Sequence, residues 1–179
     1  MDPDNLTSMQ NLKDNIVLIG MPGAGKSTLG VILAKALAYS FIDTDLLIQE
    51  KSGCRLQEII EKQGNDCFLK LENKTVSEIS TGRTVIATGG SVVYGIDAMK
   101  HLHDIGTVIY LKVSYEEIAR RVADFRARGI AMGKHHSLRE LYNERIPLYE
   151  ENADLIVCAE NAGAEENVMK IITALNINK

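Results

Sequence analysis

Short apolar runs alternate along the chain with longer stretches in which apolar residues recur every three or four positions. A continuous apolar run is typical of a strand buried on both faces, whereas the longer spacing is typical of a helix with one buried face. Five strands are predicted, at 16–19, 41–42, 85–87, 107–113 and 155–157. Helices are predicted at 27–38, 46–51, 56–63, 66–80 and 164–175, and two more after the Ser-x-x-Glu capping boxes at Ser114 and Ser137.

Strands that alternate with helices form βαβ units, which build a parallel sheet with helices on both faces. We predict one α/β domain over residues 1–179, with residues 1–14 as a loose N-terminal arm. In such sheets, ligands bind beyond the carboxyl ends of the strands. Three glycine-rich or acidic segments follow predicted strands, at 20–27, 43–45 and 88–91. They predict one composite site.

The first of these segments, GMPGAGKS, matches the phosphate-binding pattern Gly-x4-Gly-Lys-Ser without a gap. Its glycines let successive backbone N–H groups point at phosphate oxygens, and the following helix adds its positive N-terminus. In this pattern the lysine bridges the β- and γ-phosphates and the serine hydroxyl holds Mg2+. We predict a P-loop that binds ATP, with Lys26 also catalytic and Ser27 also a metal ligand. The nucleotide-binding residues are Gly23, Ala24, Gly25, Lys26, Ser27 and Thr28.

Composition narrows the choice of partner. A net charge of -4 and a pI of about 5.6 argue against nucleic acid. No apolar run approaches the roughly 20 residues that span a bilayer, and the polar N-terminus does not resemble a signal peptide. Cys54, Cys67 and Cys158 are too few and too widely spaced for a disulfide framework or a zinc site. We expect a cytoplasmic monomer that acts on a small molecule, binds neither nucleic acid nor membrane, and has buried or idle thiols.

Several segments, in this order, resemble the shikimate kinase family: GMPGAGKST, FIDTD at 41–45, ATGGS at 87–91, Arg128, and ERIPLY at 144–149. The Asp-Gly-Phe-Pro-Arg segment that adenylate-type nucleotide kinases usually carry is missing. The resemblance implies a P-loop fold with a five-stranded parallel sheet, a mobile lid at 123–137 and a substrate-binding helical region at 46–80. It also implies transfer of the γ-phosphoryl group of ATP to a ring hydroxyl of shikimate, a step of aromatic amino acid biosynthesis.

The resemblance also assigns roles to charged residues. Asp43 would assist Mg2+, and Asp45 would hydrogen-bond the acceptor hydroxyl and accept its proton. An alternative for Asp45 is a purely structural N-cap of the next helix. Arg128 would neutralise charge in the transition state from the lid, and Arg121 would lie beside the adenine. For both arginines, the alternative is a solvated basic surface.

At the acceptor end, the resemblance implies that Gly89 and Gly90 contact the substrate's hydroxyls. The alternative is a turn that needs positive φ. Arg145 would bind the substrate carboxylate. It lies on the apolar stripe of its helix, so it faces inward and needs an anion. A structural ion pair with a buried acid such as Glu72 is the alternative.

The chain departs from the family pattern at the acceptor site. Ser91 stands where a third glycine is usual, and Leu69 replaces a second carboxylate-binding arginine. Lys70, one position on, would serve as a substrate residue, although as a point charge without a bidentate fork. The arginine-rich adenine loop is also missing, because residues 158–163 read CAENAG. We expect backbone and apolar contacts to hold the adenine instead.

These departures leave other functions open beside the predicted shikimate kinase activity. The first is a kinase of the same architecture for another polyol or hydroxy acid, such as gluconate. The second is a regulatory module that binds ATP without transferring phosphate, and the third is a nucleotide kinase.

Overall fold

The computed structural model describes residues 14–122, 137–160 and 162–176, and every structural statement below concerns these residues. Five strands form one sheet in the order β2-β3-β1-β4-β5, and every neighbouring pair is parallel. The strands are β1 (Asn15–Ile19), β2 (Ser40–Asp43), β3 (Thr84–Ala87), β4 (Gly106–Lys112) and β5 (Leu155–Cys158). The predicted five-stranded parallel sheet is confirmed.

Eight helices accompany the sheet in the described parts of the chain. They are α1 (Lys26–Leu37), α2 (Thr44–Ser52), α3 (Leu56–Gln63), α4 (Asn65–Ser77), α5 (Ile96–Ile105), α6 (Tyr115–Arg121), α7 (Leu138–Glu151) and α8 (Ala164–Ala174). A 3-10 turn covers Val92–Tyr94. None of the described helices is long and apolar enough to cross a membrane. The predicted lid at 123–137 lies outside the described residues except for Ser137.

The core explains why short apolar runs marked the strands. β1 and β3 are buried along their whole length, and β4 is buried at five of its seven positions. The edge strands β2 and β5 carry partly or fully exposed residues, and their apolar runs in the sequence are short, at 41–42 and 155–157. A second, smaller cluster of Ile48, Leu56, Ile59 and Phe68 joins helices α2, α3 and α4.

Hydrogen bonds hold the carboxyl ends of β1, β2 and β3 together. The backbone N–H and the hydroxyl of Thr88 both donate to the carbonyl oxygen of Leu18, at 3.2 and 2.9 Å. The backbone N–H of Gly89 donates to the hydroxyl of Thr44 at 3.0 Å. The segments that follow the three strands are therefore fixed side by side.

One predicted helix start and one predicted cap hydrogen bond need correction. Helix α2 begins at Thr44, and its N-cap is Asp43, whose Oδ1 accepts the backbone N–H groups of Asp45 and Leu46 at 3.0 and 3.3 Å. The purely structural cap role considered for Asp45 is therefore wrong. Helix α6 begins directly after Ser114, as predicted, but the Ser114 side chain makes no cap hydrogen bond, because its hydroxyl donates to Glu160 at 2.6 Å.

The structure also bears on the predicted N-cap of α7 and on the cysteines. Ser137 accepts the backbone N–H of Glu140 at 3.2 Å, which confirms the N-cap of α7. All three cysteines are free; Cys54 is partly buried, and Cys67 and Cys158 are exposed rather than buried.

Candidate active site

A cavity of about 670 Å³ lies at the carboxyl ends of the strands. The P-loop forms its middle, from Pro22 to Leu29. At one end the walls are Arg121, Ala159, Ala162, Ala164 and Asn167. At the other end they are Asp45, Leu56, Phe68, Thr88, Gly89, Gly90, Ser91 and Arg145. One cavity thus joins the P-loop to a pocket that contains an acid and a guanidinium.

Lys26 is buried beneath the P-loop. Its Nζ donates to the carbonyl oxygens of Gly20 at 2.6 Å and of Met21 at 2.9 Å. Burial lowers the pKa of Lys26 to about 8, and the charge of Asp45 is the largest opposing influence. Two carbonyls are weak partners for an ammonium group. A phosphate anion in the loop would be a stronger one.

Ser27 and Asp43 form a pair of oxygen ligands beside the P-loop. The Ser27 hydroxyl donates to Oδ2 of Asp43 at 2.6 Å, while Oδ1 of Asp43 caps helix α2. No group of three or more His, Cys, Asp or Glu side chains able to hold a metal occurs among the described residues. Mg2+ does not need such a group, because it is commonly bound by one or two protein oxygens together with substrate phosphates and water. The pair fits that requirement.

Arg121 lies against the P-loop at the opposite end from Asp45. Its Nε donates to Glu117 at 2.6 Å, and its Nη1 donates to the carbonyl oxygens of Gly23 at 3.3 Å and Ala24 at 3.4 Å. The remaining walls there are three alanines and the buried Asn167, whose amide donates to the Ala162 carbonyl at 3.2 Å. This end has the small, mainly apolar character expected for an adenine site. Arg128 lies outside the described residues.

Gly89 and Gly90 are required by close packing rather than by a turn. Neither has a positive φ, so the turn alternative is wrong. A Cβ on Gly89 would overlap Oε1 of Glu72 and come within 2.7 Å of Oδ1 of Asp45. A Cβ on Gly90 would come within 2.7 Å of Pro22 and 3.2 Å of Nη1 of Arg145.

Arg145 is 1% exposed and reaches the cavity wall from helix α7. Its Nε donates to the Tyr94 hydroxyl at 3.3 Å, and that hydroxyl donates to Oε1 of Glu144 at 2.7 Å. The Tyr149 hydroxyl donates to the Gly90 carbonyl at 2.5 Å, so α7 is anchored to the same wall. The guanidinium is thus held in place next to Gly90, where an acceptor carboxylate would find it.

Asp45 and Glu72 are the acids of the acceptor end. Burial raises the pKa of Asp45 to about 6, and the charge of Lys26 opposes that rise. Glu72 is 1% exposed, and burial raises its pKa to about 7. From the sequence, Glu72 is expected only as a possible partner of Arg145. Its four-residue spacing from Phe68 and Val76, on the buried face of α4, was a signal that the side chain points inward.

The structure does not bring Lys70 to the cavity. Lys70 is exposed on α4 and is not among the residues of the cavity wall. Leu69 packs against the small cluster that includes Phe68. Neither side chain is among the residues of the cavity wall.

Comparison with known proteins agrees with this geometry. The sequence model of the shikimate kinase family matches residues 22–176. A shikimate kinase from Synechococcus sp. (strain RCC307) is 39% identical over 165 residues, covering 90% of this chain and 84% of that protein. One from Clostridium botulinum (strain Okra / Type B1) is 38% identical over 165 residues, covering 90% and 95%.

Solved structures of shikimate kinases also resemble this chain. A shikimate kinase from Acinetobacter baumannii in complex with shikimate superposes with a TM-score of 0.84 at 31% identity, covering 97% of this chain and 98% of that one. A gluconokinase from Sinorhizobium meliloti 1021 covers 93% of this chain and 94% of its own, but with a TM-score of 0.53 at 16% identity it shares the fold alone. With its P-loop, its parallel sheet and these relatives, the chain belongs to the shikimate kinase family.

Proposed function

We propose that this chain transfers the γ-phosphoryl group of ATP to a hydroxyl of shikimate in the presence of Mg2+. The observation that carries the proposal is the single cavity, which runs from the P-loop to a pocket containing Asp45 and Arg145. A regulatory ATP-binding module has no need of that pocket. The family relatives bear the name of the same reaction.

On the donor side, the P-loop would receive the phosphates of ATP. Lys26 would exchange the carbonyls of Gly20 and Met21 for phosphate oxygens, which are stronger partners for its charge. Ser27 and Asp43 would hold Mg2+. When bound, Mg2+ supplies positive charge that neutralises the phosphates. Arg121 lies where it can contact the adenine or the phosphates from the outer side.

On the acceptor side, Asp45 would orient the reacting hydroxyl. Asp45 lines the cavity, and its carboxylate can accept a hydrogen bond from a hydroxyl. As the bond between that hydroxyl oxygen and the γ-phosphorus forms, the bond from the γ-phosphorus to ADP breaks. The hydroxyl proton passes to Asp45, whose raised pKa makes it a better proton acceptor than an exposed carboxylate.

Arg145 would bind the carboxylate of shikimate. It is pre-positioned by Tyr94 and by the wall at Gly90, so little side-chain freedom is lost on binding. Because Leu69 supplies no second guanidinium, we expect weaker binding than two arginines would give. The difference is roughly 2 kcal/mol for one lost charged hydrogen bond, or about thirtyfold in affinity. Charge neutralisation by Arg128 stays a prediction from the resemblance.

The proposal is tested by ADP release from Mg-ATP with millimolar shikimate, gluconate, AMP or CMP, each against a blank without acceptor. Phosphorus NMR identifies the product, and the Lys26→Met variant controls for contaminating kinases. We expect release well above the blank with shikimate alone, and a phosphate ester as product. A shikimate rate equal to the blank, or a faster rate with gluconate or a nucleotide, would contradict the proposal.

A further inference from the structure

Two buried carboxyl oxygens without partners converge on one glycine. They are Oδ1 of Asp45 and Oε1 of Glu72, and neither has a hydrogen-bond partner in the described parts of the chain. Both lie over the Cα of Gly89, since a Cβ built there would meet both atoms. The side chains come from different helices, Asp45 from α2 and Glu72 from α4.

Ser91 determines which oxygen of Glu72 faces Asp45. Its hydroxyl donates to Oε2 of Glu72 at 2.5 Å, and the serine is only 4% exposed. With Oε2 engaged, Oε1 is the atom left to point toward Gly89 and Asp45. A glycine at position 91, the residue usual in the family pattern, would leave Glu72 without this donor.

Two buried acceptor oxygens that lie close together without a donor are unfavourable. A buried polar atom without a hydrogen bond costs about 1–3 kcal/mol, and more when it is charged. Two neighbouring buried carboxylates also repel each other, so one of them holds its proton to a higher pH. A single proton between Oε1 of Glu72 and Oδ1 of Asp45 removes both costs.

We propose that Ser91 and Glu72 form a positioning pair for Asp45, in which Glu72 carries a proton on Oε1 and donates it in a hydrogen bond to Oδ1 of Asp45. Glu72 lies behind Gly89 rather than in the cavity wall, so it acts on the acceptor only through Asp45. The hydrogen bond fixes the Asp45 carboxylate while its remaining lone pairs receive the acceptor hydroxyl. The catalytic consequence rests on the proposed function, whereas the hydrogen bond itself does not.

The charged groups around Glu72 determine when it carries the proton. Burial and the charge of Asp45 on α2 raise its pKa, while the Ser91 hydrogen bond, Arg145 on α7 and Lys26 on α1 lower it. The outcome is a pKa of about 7. The pair, with Glu72 protonated and Asp45 ionised, is therefore formed between about pH 6, below which Asp45 also takes up a proton, and about pH 7, above which Glu72 loses its proton.

The first test needs no substrate. The side-chain carboxyl carbon of Glu72 is followed by carbon-13 NMR between pH 4 and 9 in the ligand-free protein, with Glu72→Gln to assign the signal. We expect a midpoint near 7 in the wild type, a lower midpoint in Asp45→Asn, and a higher one in Ser91→Ala. A midpoint in the ordinary range near 4.5 overturns the pair. Because burial alone raises the pKa of Glu72, the lower midpoint in Asp45→Asn is the result that supports the contact with Asp45, and a midpoint unchanged in that variant overturns it.

The second test separates positioning from mere packing. In Glu72→Gln, the Ser91 hydroxyl holds the amide oxygen, so the amide N–H groups face Asp45 at every pH. We expect kcat within about threefold of the wild type at pH 6.5, and a ratio of wild type to variant that falls as the pH rises through 7. In Glu72→Leu, which has no donor, we expect kcat to fall tenfold or more.

Equal losses in the Gln and Leu variants, or a ratio that is independent of pH, would overturn the positioning role. If the wild type does not turn over shikimate at all, the proposed function fails. In that case the NMR titration still decides whether the Ser91–Glu72–Asp45 hydrogen bonds exist.

Discussion

Replacing Gly89 with alanine adds one methyl group at the point where the two acids of the acceptor site converge. Gly89 has no positive φ, so the backbone accepts alanine without strain, and the effect comes from crowding alone. The new Cβ would stand 2.7 Å from Oδ1 of Asp45 and would overlap Oε1 of Glu72. A normal carbon–oxygen contact is about 3.3 Å or more, so Asp45 has to move by roughly 0.6 Å and Glu72 by more.

The expected cost falls on catalysis more than on stability. A displacement of about 1 Å of a catalytic group costs on the order of a hundredfold, so we expect kcat/KM for the acceptor to fall roughly 30- to 100-fold. Overpacking of this kind costs about 1–3 kcal/mol of unfolding free energy, which the protein tolerates. The P-loop is not crowded, so the Kd for ATP should stay within about twofold.

The assay is coupled ADP release with calorimetric ATP binding and thermal unfolding on the same preparations. Gly82→Ala is the matched control, because Gly82 has no positive φ and nothing lies within 4 Å of an added Cβ. The control should behave as the wild type. A Gly89→Ala enzyme within threefold of wild-type kcat/KM would refute the argument that Asp45 and Glu72 must meet over a bare glycine.

Three further predictions follow from the same contacts. Ser27→Ala removes the hydroxyl that donates to Asp43 and should raise the Mg2+ concentration for half-maximal activity about tenfold. The Tm should change little, because Asp43 still caps α2. An unchanged Mg2+ titration would contradict this prediction. Arg121→Ala should raise KM for ATP roughly tenfold and leave KM for the acceptor unchanged, as steady-state kinetics with each substrate varied would show. Because the folded-state pKa of Glu72 is raised from 4.5 to about 7, its protonation stabilises the fold at low pH, and this contribution is lost as the pH rises through 7. Urea unfolding should show the wild type losing about 3 kcal/mol relative to Glu72→Gln between pH 4.5 and 8, and parallel curves would contradict it.

Much of the fold follows from local patterns. The continuous apolar runs identified all five strands, of which β1, β3 and β4 are the buried ones. The glycines of the P-loop identified the nucleotide site. Helix α5 was missed although Ala98, Met99 and Leu102 recur at helical spacing and are buried. Its exposed Ile96 and scattered charges obscured that stripe.

Other features depend on contacts that no local pattern encodes. Ser114 has a capping-box sequence, but its hydroxyl donates a hydrogen bond to Glu160, 46 residues away. Asp43 combines a helix cap with the Ser27 contact, and only the fold shows both together. Asp45 lies on α2, Glu72 on α4, and Ser91 at the start of the 3-10 turn, so these three side chains meet only when the elements have packed together.

The most direct test of the account compares shikimate with its methyl ester in the wild type and in Arg145→Met. The ester keeps every hydroxyl, lacks the negative charge that Arg145 is proposed to bind, and is larger by one methyl group. We predict that wild-type kcat/KM with Mg-ATP is at least about thirtyfold higher for shikimate than for the ester, and that Arg145→Met erases the difference. Equal wild-type values for the two acceptors, or a preference that persists in Arg145→Met, would contradict the assignment of this pocket to shikimate.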